Sequence, residues 1–573
     1  MTGAPSPTRW PMRVRWALLA AAALVLVVHS LAYNFVTDDA YISFVYSRNL
    51  AEHGELTFNL GQPVEGYTNF LWTLVLGLGM LVGAPPEWSS RILGTACGLA
   101  TLVVVLRLTE RALGRRSAWA AVPALLLASS SGFACWTSGG LETQLYTLLV
   151  AAAFDAFVAA ASEPRALRRL GVVLALASMT RPEGPMIAAV FGALWIAGAL
   201  WRRRGRDAAG EPAPRGGRDA LLAVAWFVGL WAPWFAWRWW YYGWPFPNTY
   251  YVKATGPWAG PEMPREMLHN GLYYVWTWLR QTELLYALPI AVLGLVAARR
   301  RTPRFALAAA SAAFAAVYLA YTVGVGGDFM GLHRFIMPMF VVAALAVTLG
   351  LEWIAGKLRY PASATAASAE TDPLSRTPLP GAQRALLRHG WGPLIAMVVV
   401  GAFAATQWRL TRHSLRWGNF AADRGIDTPA FLIAYTEDRA TIGRAMAGCF
   451  GADDFSIVGG AGAQPYFARM RGVDVFGLVS ETIAHDEPRI RPRAGHTKFG
   501  SDRVLAAYDP TFVFSCYQIH SRPEQPALPC AAFWLARGFE PVTMHIPGLR
   551  ERGEYYTFLA KKSRDFQCPG RVH

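Results

Sequence analysis

The sequence predicts a polytopic α-helical membrane protein, with about eleven transmembrane helices, that ends in a soluble mixed α/β domain. Three observations predict it. Of 573 residues, 54% are hydrophobic and 16% are charged, where soluble chains carry roughly a quarter charged. The apolar residues fall into long runs separated by short arginine-rich stretches, the pattern of a chain that crosses a bilayer repeatedly. After residue 408 such runs stop. This composition excludes disordered, collagenous and disulfide-scaffold proteins and argues against a wholly soluble enzyme. The net charge of +16 is read as cytoplasmic-loop charge, with no nucleic-acid partner expected.

The first span, 16–33, follows Arg9, Arg13 and Arg15, which places the N-terminus in the cytoplasm. Ser30-Leu31-Ala32 would pass as a signal-peptidase site, but a retained first span is the usual arrangement in multi-span chains. The apolar stretch 67–82 cannot span without putting Arg107, Arg111, Arg115 and Arg116 outside. It is therefore predicted to lie in the outer interface or to re-enter. The remaining spans are 88–107, 118–136, 142–161, 168–181, 184–201, 219–240, 282–298, 305–323, 335–355 and 391–408. The span 168–181 is short for a bilayer needing about 20 apolar residues. Cytoplasmic loops then hold 107–116, 165–169, 202–218, 299–304 and 357–388. The outer loops 38–69, 136–142, 181–184, 241–281 and 324–334 are far poorer in Lys and Arg. Trp239, Trp240, Tyr241, Tyr242 and Trp244 form an aromatic belt where the seventh span exits.

Two domains follow: 1–408, containing the first outer loop 37–82 and a low-complexity cytoplasmic linker at 356–390, and 409–573, outside the cytoplasm. In the tail, 455–458, 473–479 and 511–516 are strand-like and 440–449 is helical. Gly460-Ala461-Gly462 lacks the full dinucleotide fingerprint and reads as a strand–loop connection. The tail holds Cys449, Cys516, Cys530 and Cys568, consistent with an oxidising compartment. Of three connectivities, the expectation adopted is Cys516–Cys530 with Cys449–Cys568. No cysteine or histidine spacing suggests zinc.

Candidate chemistry begins with Asp38-Asp39, directly after the first span and opening a helix with apolar residues at 41, 42, 44, 45 and 50. One aspartate can cap that helix; its neighbour points elsewhere, and a carboxylate at membrane depth is a functional candidate by default. Glu65, Tyr67 and Asn69 open the next segment, where Thr68 or Asn69 suits a helix N-cap. Glu65 and the aromatic rings suit sugar contacts equally well. Glu142 stands where a helix start favours a carboxylate. Arg181 has Glu183 as a local partner or a lipid phosphate as a ligand. Asp328, His333 and Arg334 lie within seven residues, offering either an Asp328–Arg334 ion pair or a phosphate site. All these groups belong to outer loops, and their convergence on one side is the strongest functional signal. Walker A, GxSxG and HExxH patterns are missing from sensible positions, which removes support for ATP-driven transport, serine hydrolysis and zincin chemistry.

Thr37-Asp38-Asp39-Ala40-Tyr41-Ile42-Ser43-Phe44, with Val64-Glu65-Gly66-Tyr67-Thr68-Asn69-Phe70-Leu71-Trp72, resembles the GT-C glycosyltransferases. The likeness is to the subgroup of the mycobacterial terminal β-(1→2)-arabinofuranosyltransferase. Residues 180–184 and 326–338 resemble later motifs of that group, whose members also carry a C-terminal periplasmic domain. The resemblance implies a bacterial cytoplasmic-membrane enzyme moving a sugar, arabinofuranose as the single best assignment, from a polyprenyl-phosphate donor to an envelope polysaccharide or glycolipid. It implies Asp38 or Asp39 as the catalytic carboxylate. Arg181, His333 and Arg334 are expected at the donor phosphate, and Glu65, Tyr67, Asn69, Glu142 and Asp328 near sugar or acceptor. No cofactor is required; a divalent metal on Asp38 and Asp39 is compatible with the pair but not implied by a single phosphate. The competing classes are a lipid-linked-sugar transporter, which would need inverted repeats and mid-membrane polar sites, and a glycan-binding scaffold, which would leave the carboxylate pair unexplained.

Overall fold

The computed structural model describes residues 10–207, 217–299, 302–358, 391–416, 424–550 and 553–572. The expected linker 356–390 lies almost wholly outside the described residues. Among them, seven helices are long and apolar enough to cross a membrane, and nine spans result if two sharply bent pairs each count as one. These helices sit close to the predicted positions; the count of eleven is what changes. The helix α1 (Trp10–Leu31) is followed by α2 (Asp38–His53), which stops where Gly54 turns left-handed and returns its N–H to Asn49 and Leu50. Next comes α3 (Phe70–Leu81). Its 12 residues rise about 18 Å, too little for a bilayer core of about 30 Å. The segment expected not to cross is thus too short to do so.

The long helix α4 (Pro86–Leu113) precedes the first bent pair, α5 (Val122–Ser129) and α6 (Ser131–Ser138). One straight span over 118–136 is replaced by a 66° bend, because Ser130 is extended between them. Then come α7 (Thr143–Ala159) and α8 (Ala166–Thr180), the second only about 22 Å long. They are followed by α9 (Gly184–Asp207), α10 (Gly217–Tyr242) and α11 (Asn248–Ala254). The second bent pair is α12 (Met263–Gln281) with α13 (Leu284–Val296), meeting at 86° where Glu283 adopts φ 55°. The last apolar helices are α14 (Pro303–Gly324), α15 (Met337–Lys357) and α16 (Gly392–Ser414). Of the seven, α15 is the most enclosed by protein and α10 the least, so α15 is central and α10 peripheral.

The tail opens with α17 (Pro429–Ala445), started by Pro429 at its first position and by the Thr428 hydroxyl accepting from the Phe431 N–H at 3.3 Å. The expected helix 440–449 is therefore longer, earlier and already ended at Ala445. A six-stranded sheet follows, in the order β2-β1-β3-β5-β4-β6: β1 (Ser456–Val458), β2 (Gly472–Asp474), β3 (Phe512–His520), β4 (Phe539–His545), β5 (Tyr555–Lys561) and β6 (Arg571–Val572). The first two pair in parallel with each other and β1 with β3; the remaining pairings are antiparallel. Residues of β3 and β5 alternate between two cores, Phe512, Phe514 and Phe558 on one face and Val513 and Leu559 on the other. Strand β2 is shorter than the expected 473–479, since Asp474 turns the chain by accepting from the N–H groups of Phe476 and Val479. The tail contains the disulfides Cys449–Cys568 and Cys516–Cys530.

Candidate active site

The site forms where the polar loops at one end of the helices meet the tail. Thr37 holds the N-cap position of α2 without a side-chain bond, so both aspartates are released from capping. Asp38 Oδ1 instead accepts the backbone N–H of Ala463 at 2.8 Å. Burial pushes the Asp38 carboxyl up to about 7, with Asp39 adding to it, against the Ala463 N–H and Arg439. Asp39 has no hydrogen bond or ion pair to the protein among the described residues. Burial raises its carboxyl too; Arg334 and Lys253 oppose the rise, while Asp328 and Glu142 reinforce it.

Lys253, in the short helix α11, is the residue the sequence analysis missed. It is exposed, desolvation lowers its pKa, and Asp328, Arg334, Asp39 and Arg181 lie within its electrostatic reach. It too makes no hydrogen bond or ion pair among the described residues. Asn248 fixes α11 by donating to the carbonyls of Gly477, Leu478 and Ser480 at 2.7–3.1 Å. A signal was available: Lys253 is the first lysine of the sequence, and the next is Lys357.

Arg334 lies within electrostatic reach of Asp39. Its Nε donates to Asp328 Oδ2 at 3.2 Å and its guanidinium lies 5.8 Å from the Trp136 ring centre. The loop before it needs glycine at 326 and 327, both at positive φ and packed against Met267 and Tyr274. Asp427, from the tail, brackets this loop through Phe329 O and Gly331 N–H at 2.6 and 2.9 Å.

Other expected ligands are committed elsewhere. Arg181 is buried between Glu142, at 3.1 Å, and Glu183, at 3.1 and 3.3 Å. Protein carboxylates therefore already pair with this guanidinium. Glu142 also accepts from Asn69 Nδ2 at 2.9 Å, and Asn69 Oδ1 accepts from Ser43 and Thr73; both residues tie loops together. Asn69 does hold the N-cap position of α3, without a side-chain bond to the backbone. Glu65 forms a buried ion pair with Arg238 at 2.7–2.9 Å. The Tyr67 hydroxyl meets that of Tyr242 at 3.1 Å. His333 is buried against the Tyr274 ring with Nε2 3.0 Å from Gln281. Burial drops its pKa to about 3, so a neutral imidazole offers a phosphate no charge. No group of three or more His, Cys, Asp or Glu side chains suited to a metal occurs among the described residues.

An apolar groove of about 350 Å³ runs between α5, α12, α13, α15 and α16, lined by residues such as Leu127, Trp278, Leu284, Phe340 and Phe403.

The bent membrane helices, the interfacial pair α2 and α3, and the tail sheet together define a GT-C-type fold. The chain superposes on ArnT from Cupriavidus metallidurans bound to undecaprenyl phosphate with a TM-score of 0.55 and 14% identity, covering 97% of this chain and 98% of that one. It is also similar to the Archaeoglobus fulgidus oligosaccharyltransferase complex with zinc and sulfate, with a TM-score of 0.51 and 11% identity over 79% of this chain and 62% of that one. In sequence it is 26% identical over 367 residues to the terminal β-(1→2)-arabinofuranosyltransferase of Mycobacterium tuberculosis. That match covers 57% of this chain and 54% of the relative, so the chain spans about half the length of the curated relative it matches. No protein-family model matches the chain.

Proposed function

We propose that this chain is a glycosyltransferase of the bacterial cytoplasmic membrane that transfers a sugar, arabinofuranose, from a polyprenyl-phosphate donor to an envelope glycan on the outer face. The observation that carries the reading is the electrostatic grouping of Asp39, which makes no hydrogen bond or ion pair among the described residues, with Arg334 and Lys253. The acceptor hydroxyl attacks the anomeric carbon and gives its proton to Asp39. The bond from that carbon to the phosphate oxygen breaks, and the polyprenyl phosphate leaves with the electron pair. Lys253 and Arg334 meet the charge that develops on it. Burial brings the Asp39 pKa upward, toward the range where a general base is effective. The apolar groove suits the prenyl tail, and the GT-C fold and the named relative support donor class and sugar.

The test is transfer by purified protein in detergent, offering polyprenyl-phosphate arabinose and polyprenyl-phosphate mannose with an oligosaccharide pool. Arabinose transfer is expected, with Asp39→Asn reducing turnover by about 10²–10⁴-fold while donor binding persists. Donor binding without transfer by the wild type would favour a lipid-linked-sugar transporter instead.

A further inference from the structure

The helix α2 carries two faces. Residues Asp39, Ser43 and Ser47 follow one another at four-residue intervals and lie on one face; Ser43 donates to Asn69 Oδ1 at 3.0 Å and Ser47 to the Thr73 carbonyl at 2.8 Å. Residues 38, 41, 44, 48 and 52 form another face, and each meets the segment that follows β1. This segment comprises Gly460-Ala461-Gly462 and α18 (Ala463–Ala468). Asp38 takes the Ala463 N–H. The Tyr41 ring lies 5.2 Å from those of Tyr466 and Phe467, and the Phe44 ring 6.1 Å from that of Tyr466. Arg48 donates to the Tyr466 carbonyl at 2.7 Å and lies over its ring. Glu52 holds Arg469 bidentately at 2.8–2.9 Å. The tail thus grips α2 along its whole length, beginning one residue away from Asp39. The fit at Asp38 is tight: a Cβ on Gly462 would overlap the Asp38 carboxylate and carbonyl.

We infer that the tail is a positioning device for the reaction, with Asp38 and the Gly462–Ala463 backbone setting the axial rotation of α2 and hence where Asp39 points. Adjacent residues on a helix are separated by about 100° of rotation, so the rotation of α2 that seats Asp38 on the Ala463 N–H also fixes the direction in which Asp39 projects. In this arrangement Asp38 is a positioning residue and does no proton transfer. The activity arm of the inference rests on the transferase reading above; its structural arm does not.

The test uses the full chain in detergent with Gly462→Ala, Asp38→Leu, Asp38→Asn and Asp39→Asn. Hydrogen exchange over residues 38–52 is measured beside turnover and donor KM. Gly462→Ala and Asp38→Leu are expected to raise exchange in that segment and to lower turnover about 100-fold, with donor KM changed little. Asp38→Asn keeps an oxygen for the Ala463 N–H and is expected to lose about tenfold or less, far short of Asp39→Asn. Unchanged exchange in Gly462→Ala, or raised exchange with wild-type turnover, overturns the inference, as does an Asp38→Asn loss equal to that of Asp39→Asn. A protein that transfers no sugar at all would sink the transferase reading, while the exchange data would still report on the grip.

Discussion

Two charge clusters lie near each other at the same end of the helices, and they are built from the same residue types. Around Arg181, a guanidinium is enclosed by Glu142 and Glu183, and Asn69 fills a further valence of Glu142. Around Arg334, one carboxylate, Asp328, is paired, while Asp39 and Lys253 face each other's field with no protein hydrogen bond. The closed cluster has satisfied its buried charges from within and has little to offer a ligand. The open cluster retains acceptor and donor capacity among the described residues. Charge at membrane depth is costly in either case, so it is the unpaired donors and acceptors, not the charge itself, that distinguish a reactive site from a brace.

The comparison is broken most severely by removing the central arginines. Arg181→Gln leaves two buried carboxylates facing each other and is expected to cost about 3–5 kcal/mol of stability, seen as a lowered thermal midpoint in detergent. Adding Glu183→Gln should recover part of it. Arg334→Gln, at the open cluster, should instead lower donor binding and turnover with a smaller change in midpoint. If Arg181→Gln stays as stable as wild type but loses donor binding, Arg181 is a ligand after all and the clusters are not different in kind.

The sequence displayed much of this and hid the rest for physical reasons. Hydropathy marks a helix wherever apolar residues persist, which is why α4, α14 and α15 were legible. It is blind to direction, so the bends at Ser130 and Glu283, each a single residue's backbone choice, were not. The Asp38-Asp39 pair stood out because nothing in capping needs two carboxylates. Which aspartate is free depends on Ala463, 425 residues away, a contact local pattern cannot show. Glu65 and Tyr67 cannot be assigned from pattern alone, because aromatic and acidic residues look alike whether they meet a sugar or, as in this structure, Arg238 and Tyr242. Lys253 was passed over because a lone cation in a long loop has no spacing to read.

Lys253 sharpens the contrast at moderate scale. Lys253→Ala should raise donor KM by about 10–100-fold, the size of one or two charge-assisted hydrogen bonds, with acceptor KM little changed. Its titration gives a second handle. Because burial lowers the Lys253 pKa from 10.5, donor use should fade at a pH below the ordinary lysine range, as the ammonium loses its proton. Burial raises Asp39, so the acid limb, where the base becomes protonated, should lie above the ordinary carboxylate range. Lys253→Arg should push the alkaline limb outward and leave the acid limb in place. An alkaline limb unmoved by that substitution would show that another group sets it.

The last expected effect concerns Asp38 and stability. Its carboxyl rises from 3.8 to about 7 in the folded protein, so the folded state binds the proton more tightly than the unfolded chain does. Its contribution to stability is full below about 3.8 and is lost as pH rises through about 7. Asp427, raised to about 6, acts in the same direction. His333 and His496, both lowered to about 3, act oppositely, since below 6.5 the unfolded chain gains protons that these buried rings refuse. The wild-type curve therefore mixes signs, and only the difference between wild type and Asp38→Asn isolates the aspartate. That difference should shift in favour of the wild type as pH falls from 7 to 4 and level off below. A difference flat across this window would mean that the Asp38 carboxylate is far better solvated than its enclosure by α2 and the Gly460–Ala463 segment implies.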